Sequence, residues 1–288
     1  HHQDMRFSLT AFLACFVITI WGQPFLAQAI NFPLRVHDAR PVDLDQDGDL
    51  DILTASLGDK KLVWFENDGQ QNFTPHTVAT GTDGALMAYP IDLDQDGNTD
   101  ILTTSFFDEN SEIAWYRNNG ELTFSKQDVQ LNKMRDSDIQ PLDLDGDGDW
   151  DIIAASWKEQ RIRWLENDGH QNFVEHLITA DLEGIIDFNA TDADEDGDLD
   201  IIAASWMNGK IVLFENDGQQ SFTGRSILTN SSGLEAILAI DMDDDADTDI
   251  LYTSKTNNTV AWQENDGQQN FTEHKIDFGV DPQLRGPT

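Results

Sequence analysis

Five stretches of this 288-residue chain carry aspartates at every second position, with one asparagine, Asn98, among them. They read DLDQDGDLD from Asp43, DLDQDGNTD from Asp92, DLDGDGDWD from Asp143, DADEDGDLD from Asp192 and DMDDDADTD from Asp241. Numbered 1 to 9, each loop has carboxylates at positions 1, 3, 5 and 9. Alternate carboxylates on a tight loop converge on one point. Glycine at position 6 permits the sharp turn, and the carbonyl at position 7 can add another oxygen. An all-oxygen donor set without His or Cys suits Ca²⁺ better than Zn²⁺, and Mg²⁺ takes fewer protein ligands. A single Asp-Gly turn would be only a turn; five copies at one spacing predict about one Ca²⁺ per loop, up to five ions.

The candidate ligands are Asp43, Asp45, Asp47, Asp49 and Asp51 in the first loop and Asp92, Asp94, Asp96, Asn98 and Asp100 in the second. The third offers Asp143, Asp145, Asp147, Asp149 and Asp151, and the fourth Asp192, Asp194, Asp196, Asp198 and Asp200. Asp241, Asp243, Asp245, Asp247 and Asp249 complete the fifth. Asn98 falls where the backbone binds, so little change is expected there. Ala246 replaces the glycine at position 6, and a non-glycine residue at positive φ costs about 1 kcal/mol or more, so the fifth site is expected to be the weakest.

The loops recur at spacings of 49, 51, 49 and 49 residues. A second landmark keeps the beat: ENDG at Glu66, RNNG at Arg117, then ENDG at Glu166, Glu215 and Glu264. The two extra residues fall between Ser105 and Glu112, which marks a loop insertion. Each unit resolves into four short strands. In the first unit these are an apolar lead-in (40–44), a β-rich run after the Asp loop (51–56), LVWFE (62–66) and FTPHTV (73–78). The last two are joined by Asn67-Asp68-Gly69, a hairpin signal because Asn and Gly tolerate positive φ. Four strands repeated at this period predict an all-β fold, a β-propeller with five complete four-stranded blades over residues 30–288. By the same register a sixth loop would begin just after Thr288. The chain therefore reads as a truncated six- or seven-bladed ring, with a closed five-bladed ring as the alternative.

Seventeen Lys and Arg face 54 Asp and Glu, a formal charge of −37. That excludes nucleic acid and a polybasic membrane patch. About half of the acids sit in the five loops, so the acidity is local. Met5 reads as the true start, with His1–Asp4 as upstream extra residues. Arg6, an apolar run from Phe7 to Trp21 and Ala27-Gln28-Ala29 then read as a signal peptide over residues 1–29. The sole cysteine, Cys15, lies within it, so the mature chain has no disulfide and bound metal is the expected staple. Secretion or display on the cell surface, without membrane insertion after cleavage, is the expected location.

The repeated D-x-D-x-D-G-x-x-D loop and the hairpin Trp64-Phe65-Glu66-Asn67-Asp68-Gly69 resemble the FG-GAP/VCBS repeats, calcium-bearing propeller blades of integrin α-chain heads and many secreted bacterial proteins. The bacterial type, with its W-x-E-N-x-G hairpin, is the nearer likeness. Leu213 and Arg117 depart from that hairpin pattern. The resemblance covers about residues 32–288 and implies a propeller with one Ca²⁺ per blade loop.

With strands labelled A to D outward from the axis, the Asp loop (A–B) and the hairpin (C–D) share one face. The other face carries the B–C and D–A connections, which differ between blades. Binding usually resides on variable loops of a rigid scaffold. Trp157 and Trp206 end strand B near that face. They are candidates to contact a ligand, or to pack between blades. Trp64, Trp115, Trp164 and Trp262 read as core. His76, His176 and His274 read as surface residues of the outer strand, not as ligands. The sequence holds no G-x-S-x-G elbow, no H-E-x-x-H helix and no phosphate loop.

A non-catalytic module that binds protein or glycan is the first functional expectation. A polysaccharide-acting lyase or hydrolase is the alternative, with Asp136 paired to Asp187 or Glu183 as candidate acids. The enzyme predicts acidic, basic and Tyr groups converging near the axis. The module predicts only scattered ones.

Overall fold

The computed structural model describes residues 35–82, 85–105, 112–129 and 136–276. The expected signal peptide, the insertion after Ser105 and the C-terminal register on which the expected blade count rests lie outside them. Twenty strands form five antiparallel sheets of four. Blade 1 is β1 (Val36–Val42), β2 (Asp51–Ser56), β3 (Lys61–Asn67) and β4 (Phe73–Thr80). Blade 2 is β5 (Ala85–Ile91), β6 (Asp100–Ser105), β7 (Ile113–Asn118) and β8 (Phe124–Asp128). Blade 3 is β9 (Asp136–Leu142), β10 (Asp151–Ser156), β11 (Arg161–Asn167) and β12 (Phe173–Thr179). Blade 4 is β13 (Ile185–Thr191), β14 (Asp200–Ser205), β15 (Lys210–Asn216) and β16 (Phe222–Leu228). Blade 5 is β17 (Leu234–Ile240), β18 (Asp249–Ser254), β19 (Thr259–Asn265) and β20 (Phe271–Lys275). Every blade is a simple meander in sequence order, as four strands per repeat require. The sequence expectation of an all-β propeller of four-stranded blades is met.

The core lies between blades, and this explains the composition of strand B. In β10, DIIAAS, every residue is buried. Ile153 and Ala155 pack toward blade 4 with Phe188, Ile201 and Val212. Ile152 and Ala154 pack toward blade 2 with Leu102 and Trp115. A strand covered on both faces loses the polar alternation of a half-exposed one. Blades 1 and 2 share Leu53, Ala55 and Ile101, and blades 4 and 5 share Ile202, Ala204, Ile250 and Tyr252.

Blade 5 is more exposed than the blades before it. Position 2 of the Asp loop is 5% exposed at Leu144 but 37% at Met242, and Leu238 on β17 is 48% exposed. Trp64, Trp115 and Trp164 are buried as expected, whereas Trp262 in β19 is only half-buried.

The inner strands are held by side chains of the preceding blade. Each is an edge strand, so its axis-facing N–H groups have no ladder partner. Asp38 Oδ2 accepts from Ala88 N at 2.9 Å and Asp187 Oδ2 from Ile237 N at 2.8 Å. One row along, Gln140 Oε1 accepts from Ala190 N at 3.3 Å and Asn189 Oδ1 from Ala239 N at 2.8 Å. The same row in blades 2 and 3 carries Pro90 and Pro141, which have no N–H to donate. Opposite them stand Arg40 and Tyr89 instead of an amide. The Arg40 guanidinium lies 3.5 Å from the centre of the Tyr89 ring, and its Nε donates to Asp38 Oδ2 at 2.8 Å.

Candidate metal centres

Each Asp loop is knitted by its own backbone before any ion is considered. In loop 1 Asp43 Oδ2 accepts from Gly48 N, Asp45 Oδ1 from Asp47 N and Asp47 Oδ1 from Asp49 N. Position 6 has positive φ in every loop, at 97° for Gly48 and 81° for Ala246. The strain expected at Ala246 is therefore present. Position 4 is left-handed as well, at Gln46, Gln95, Glu195 and Asp244, and only blade 3 places a glycine there (Gly146). The Gln46 amide donates to Gly97 O at 2.7 Å and that of Gln95 to Gly148 O at 2.6 Å, so the first three loops are chained together.

Positions 1, 3 and 9 converge. Asp43, Asp45 and Asp51 bring ligand oxygens within 4.8 Å of one another. So do Asp143, Asp145 and Asp151, then Asp192, Asp194 and Asp200, then Asp241, Asp243 and Asp249. In blade 2 the converging set is Asp92, Asp94 and Asp96. Position 7 goes elsewhere. A Cβ added to Gly69 would meet Asp49 Oδ2 at 2.3 Å, and Gly169, Gly218 and Gly267 stand likewise against Asp149, Asp198 and Asp247. The two sequence landmarks are thus one structural unit. The hairpin needs glycine for this close approach as well as for its φ.

The position-9 carboxylates are buried anchors. Asp151 Oδ2 accepts from Leu144 N and from Trp164 Nε1, and its Oδ1 accepts from Asn167 N. Burial nevertheless pushes Asp151 up to about 6, and Asp100 and Asp200 to about 6 as well. Asp45 is raised by burial and then by the charges of Asp51, Asp47 and Glu66. Asp145 and Asp194 are raised by burial and by their loop neighbours, with Glu166 and Glu215 adding to them. The strand-C glutamate of the ENDG landmark therefore faces the loop, a role the sequence reading did not assign to it. His76 pairs with Glu66 at 2.6 Å and stacks on Trp64 at 4.7 Å, and His176 with Glu166 and Trp164 at the same distances. His274, Glu264 and Trp262 repeat the arrangement. These histidines do lie on the outer strand, where each holds a glutamate beside the loop.

The clusters fit a hard cation. Asp43 Oδ1 and Asp143 Oδ1 are buried and receive no hydrogen bond, although each carboxylate lies among others. Such oxygens are satisfied by a cation and by no protein donor present. Asp43, Asp45 and Asp51, and their equivalents in blades 3, 4 and 5, would hold it. The ion would supply charge neutralisation, with no chemistry of its own.

A second titratable group gathers at the axis. Burial pushes Asp138 of β9 up to about 8, helped by the charge of Asp187 and moderated by Arg40. Asp187 is pushed to about 6 by burial. Burial, and then the charge of Asp138, raises the Tyr89 phenol, which Arg40 counteracts. Glu183 is not among the groups that act on Asp138, Asp187 or Tyr89, and the side chain of Asp136 lies outside the described residues. A carboxyl whose native pKa exceeds its unfolded value binds more protons when folded, so its contribution to stability declines as pH rises from about 4 to about 8. Asp138→Asn is expected to raise Tm by a few degrees near pH 8 and to leave it nearly unchanged near pH 4, as scanning calorimetry at about those two pH values would show. Equal effects at both would mean that Asp138 is not held neutral.

A family model described as an FG-GAP-like repeat matches residues 43–103, 92–154, 143–203 and 192–252. The chain belongs to the FG-GAP-like repeat family. Each match runs from one Asp loop through the next, so the family unit is the loop-to-loop frame and not the blade. The FG-GAP array is also similar in fold to solved structures of low identity. One is a functionally unknown protein from Desulfotomaculum acetoxidans (TM-score 0.57, 14% identity, 86% of this chain and 71% of that one). Others are a puromycin hydrolase mutant (0.56, 14%, 88% and 41%) and a chain of a nidogen–laminin complex (0.50, 12%, 74% and 71%). No curated protein matches. Among the described residues no helix is long and apolar enough to cross a membrane.

Proposed function

We propose that this FG-GAP protein is a secreted or surface-displayed, calcium-stabilised propeller that binds protein or glycan through its variable face and carries no catalysis. Ca²⁺ sits in the Asp loops and makes the opposite face rigid. The observation that carries the reading is an aromatic pair on that face, one ring of it exposed and the other half-buried. Trp157 and Trp206, from adjacent blades, stand 5.8 Å apart with rings tilted by 40°. They pack on each other across the blade boundary, yet Trp206 remains 37% exposed and its neighbour Met207 56%. Trp206 N donates to Gly184 O at 3.0 Å, which ties the B–C turn to the D–A connection. Aromatic rings held this way present a flat apolar surface to a sugar ring or a partner side chain.

The axial group favours the second reading, a polysaccharide-acting enzyme, because acidic, basic and phenolic groups meet there. Most of them are already committed. Asp38 and Asp187 accept backbone N–H groups, and Arg40 is bound to Asp38. Asp138 is the acid left for chemistry. A glycan array and a protein-ligand screen, run with wild type and Trp206→Ala, decide the matter together with a reducing-end assay. Binding that falls at least tenfold in Trp206→Ala at unchanged Tm, without turnover, is the expected result. Turnover lost in Asp138→Asn would replace the module with the enzyme.

A further inference from the structure

Blade 2 differs from the other four at its loop. Where Glu66, Glu166, Glu215 and Glu264 face their loops, blade 2 has Arg117. Its Nε lies 2.5 Å from Asp94 Oδ2, and its Nη2 donates to Asp96 Oδ2 at 3.1 Å. The guanidinium thus bridges positions 3 and 5. The other oxygen of Asp96 accepts from Asn98 Nδ2 at 2.8 Å and from Asn98 N at 2.9 Å. Asn98 is the one amide at position 7 among the five loops. Both departures from the repeat therefore act on Asp96, each supplying donors where the other blades supply negative charge. Four carboxylates and a guanidinium stand where blades 1 and 3 have six carboxylates. Arginine stays protonated at any pH the fold survives, and its planar fork suits two carboxylate oxygens.

We infer that Arg117 is the resident cation of blade 2, taking the place a divalent ion has in the other loops, so that this blade is held without metal. The inference rests on the reading of the other four loops as cation sites. A divalent ion at Asp92, Asp94 and Asp96 would have to lie against a guanidinium already bonded to two of the same three residues, and like charges at that range repel. The blade whose B–C connection carries the two-residue insertion is thereby independent of the ion supply that the other four blades need.

Equilibrium dialysis of the whole chain against radioactive calcium tests this, with folding of each variant checked by circular dichroism. Arg117→Glu is expected to bind one more ion per chain than wild type. Asp94→Ala is expected to leave the wild-type count unchanged, whereas Asp45→Ala lowers it by one. An equal count in wild type and Arg117→Glu overturns the inference. So does a lower count in Asp94→Ala, which decides the matter even if Arg117→Glu fails to fold. A wild-type count of zero instead overturns the metal reading of the array as a whole.

Discussion

Asp151→Ala is expected to cost the fold about 3 kcal/mol or more, enough to rank with Asp100→Ala, whose carboxylate takes the same three kinds of donor, among the most damaging loop substitutions. The Asp151 carboxylate has three buried donors to satisfy, Leu144 N at 3.2 Å, Trp164 Nε1 at 2.8 Å and Asn167 N at 2.8 Å. An unsatisfied buried donor costs about 1–3 kcal/mol. Removing the carboxylate also removes its own burial cost, which is why the donor penalties do not simply add. Asp51 is the internal comparison. It accepts from Leu44 N and Asn67 N, but Trp64 Nε1 has no acceptor. Asp51→Ala should therefore be milder than Asp151→Ala by about 1 kcal/mol. Urea denaturation in EDTA isolates this hydrogen-bond contribution from that of the metal. Equal losses in the two variants would remove the indole from the account.

Stripping the protein with EDTA is expected to lower Tm by on the order of 10 °C, with recovery on adding Ca²⁺. Extracellular calcium modules bind at about 10⁻⁴–10⁻³ M, so about 2 mM Ca²⁺ contributes roughly 0.6–1.8 kcal/mol per site. Four such sites contribute roughly 3–7 kcal/mol, and a domain of this size shifts by about 2–4 °C per kcal/mol. The direction follows from the loops themselves. Five or six carboxylates crowd each of four turns, and two buried oxygens there, Asp43 Oδ1 and Asp143 Oδ1, have no donor. A melting curve indifferent to EDTA would refute the structural role of the ion. Recovery with Mg²⁺ as complete as with Ca²⁺ would show that any small divalent ion serves.

Much of the architecture was legible in the sequence because two motifs share one period. Loop-to-loop spacing fixed the blade, the NDG hairpin fixed its outer edge, and the β-rich run after each loop marked a strand. The convergence of positions 1, 3 and 9 follows from the loop pattern. What the pattern concealed was the destination of side chains between units. Position 7 reads as one more acid, yet Asp49 lies against the hairpin glycine. The Glu of ENDG reads as a strand terminus, yet it faces the loop, with a histidine from β4 holding it. Asn98 was expected to change little, and Arg117 was noticed only as a departure. Their partnership with Asp94 and Asp96 depends on how far strand C leans over the loop, and no spacing encodes that. The proline row at the axis was visible too, but its meaning required knowing which blade follows which.

That row makes the blades unequal as building blocks, for all their likeness. Asn189 ends in a carbonyl oxygen that needs a proton from its successor, and Ala239 supplies one. Set the same blade ahead of Pro90 and the oxygen would face ring carbons. Set blade 1 ahead of Ala190 and a bare N–H would face a guanidinium. Each blade is therefore addressed to the one that comes next. Such an array can be cut and rejoined between neighbours in their existing order, but shuffling or copying a single blade in place breaks the sentence that its inner strands spell.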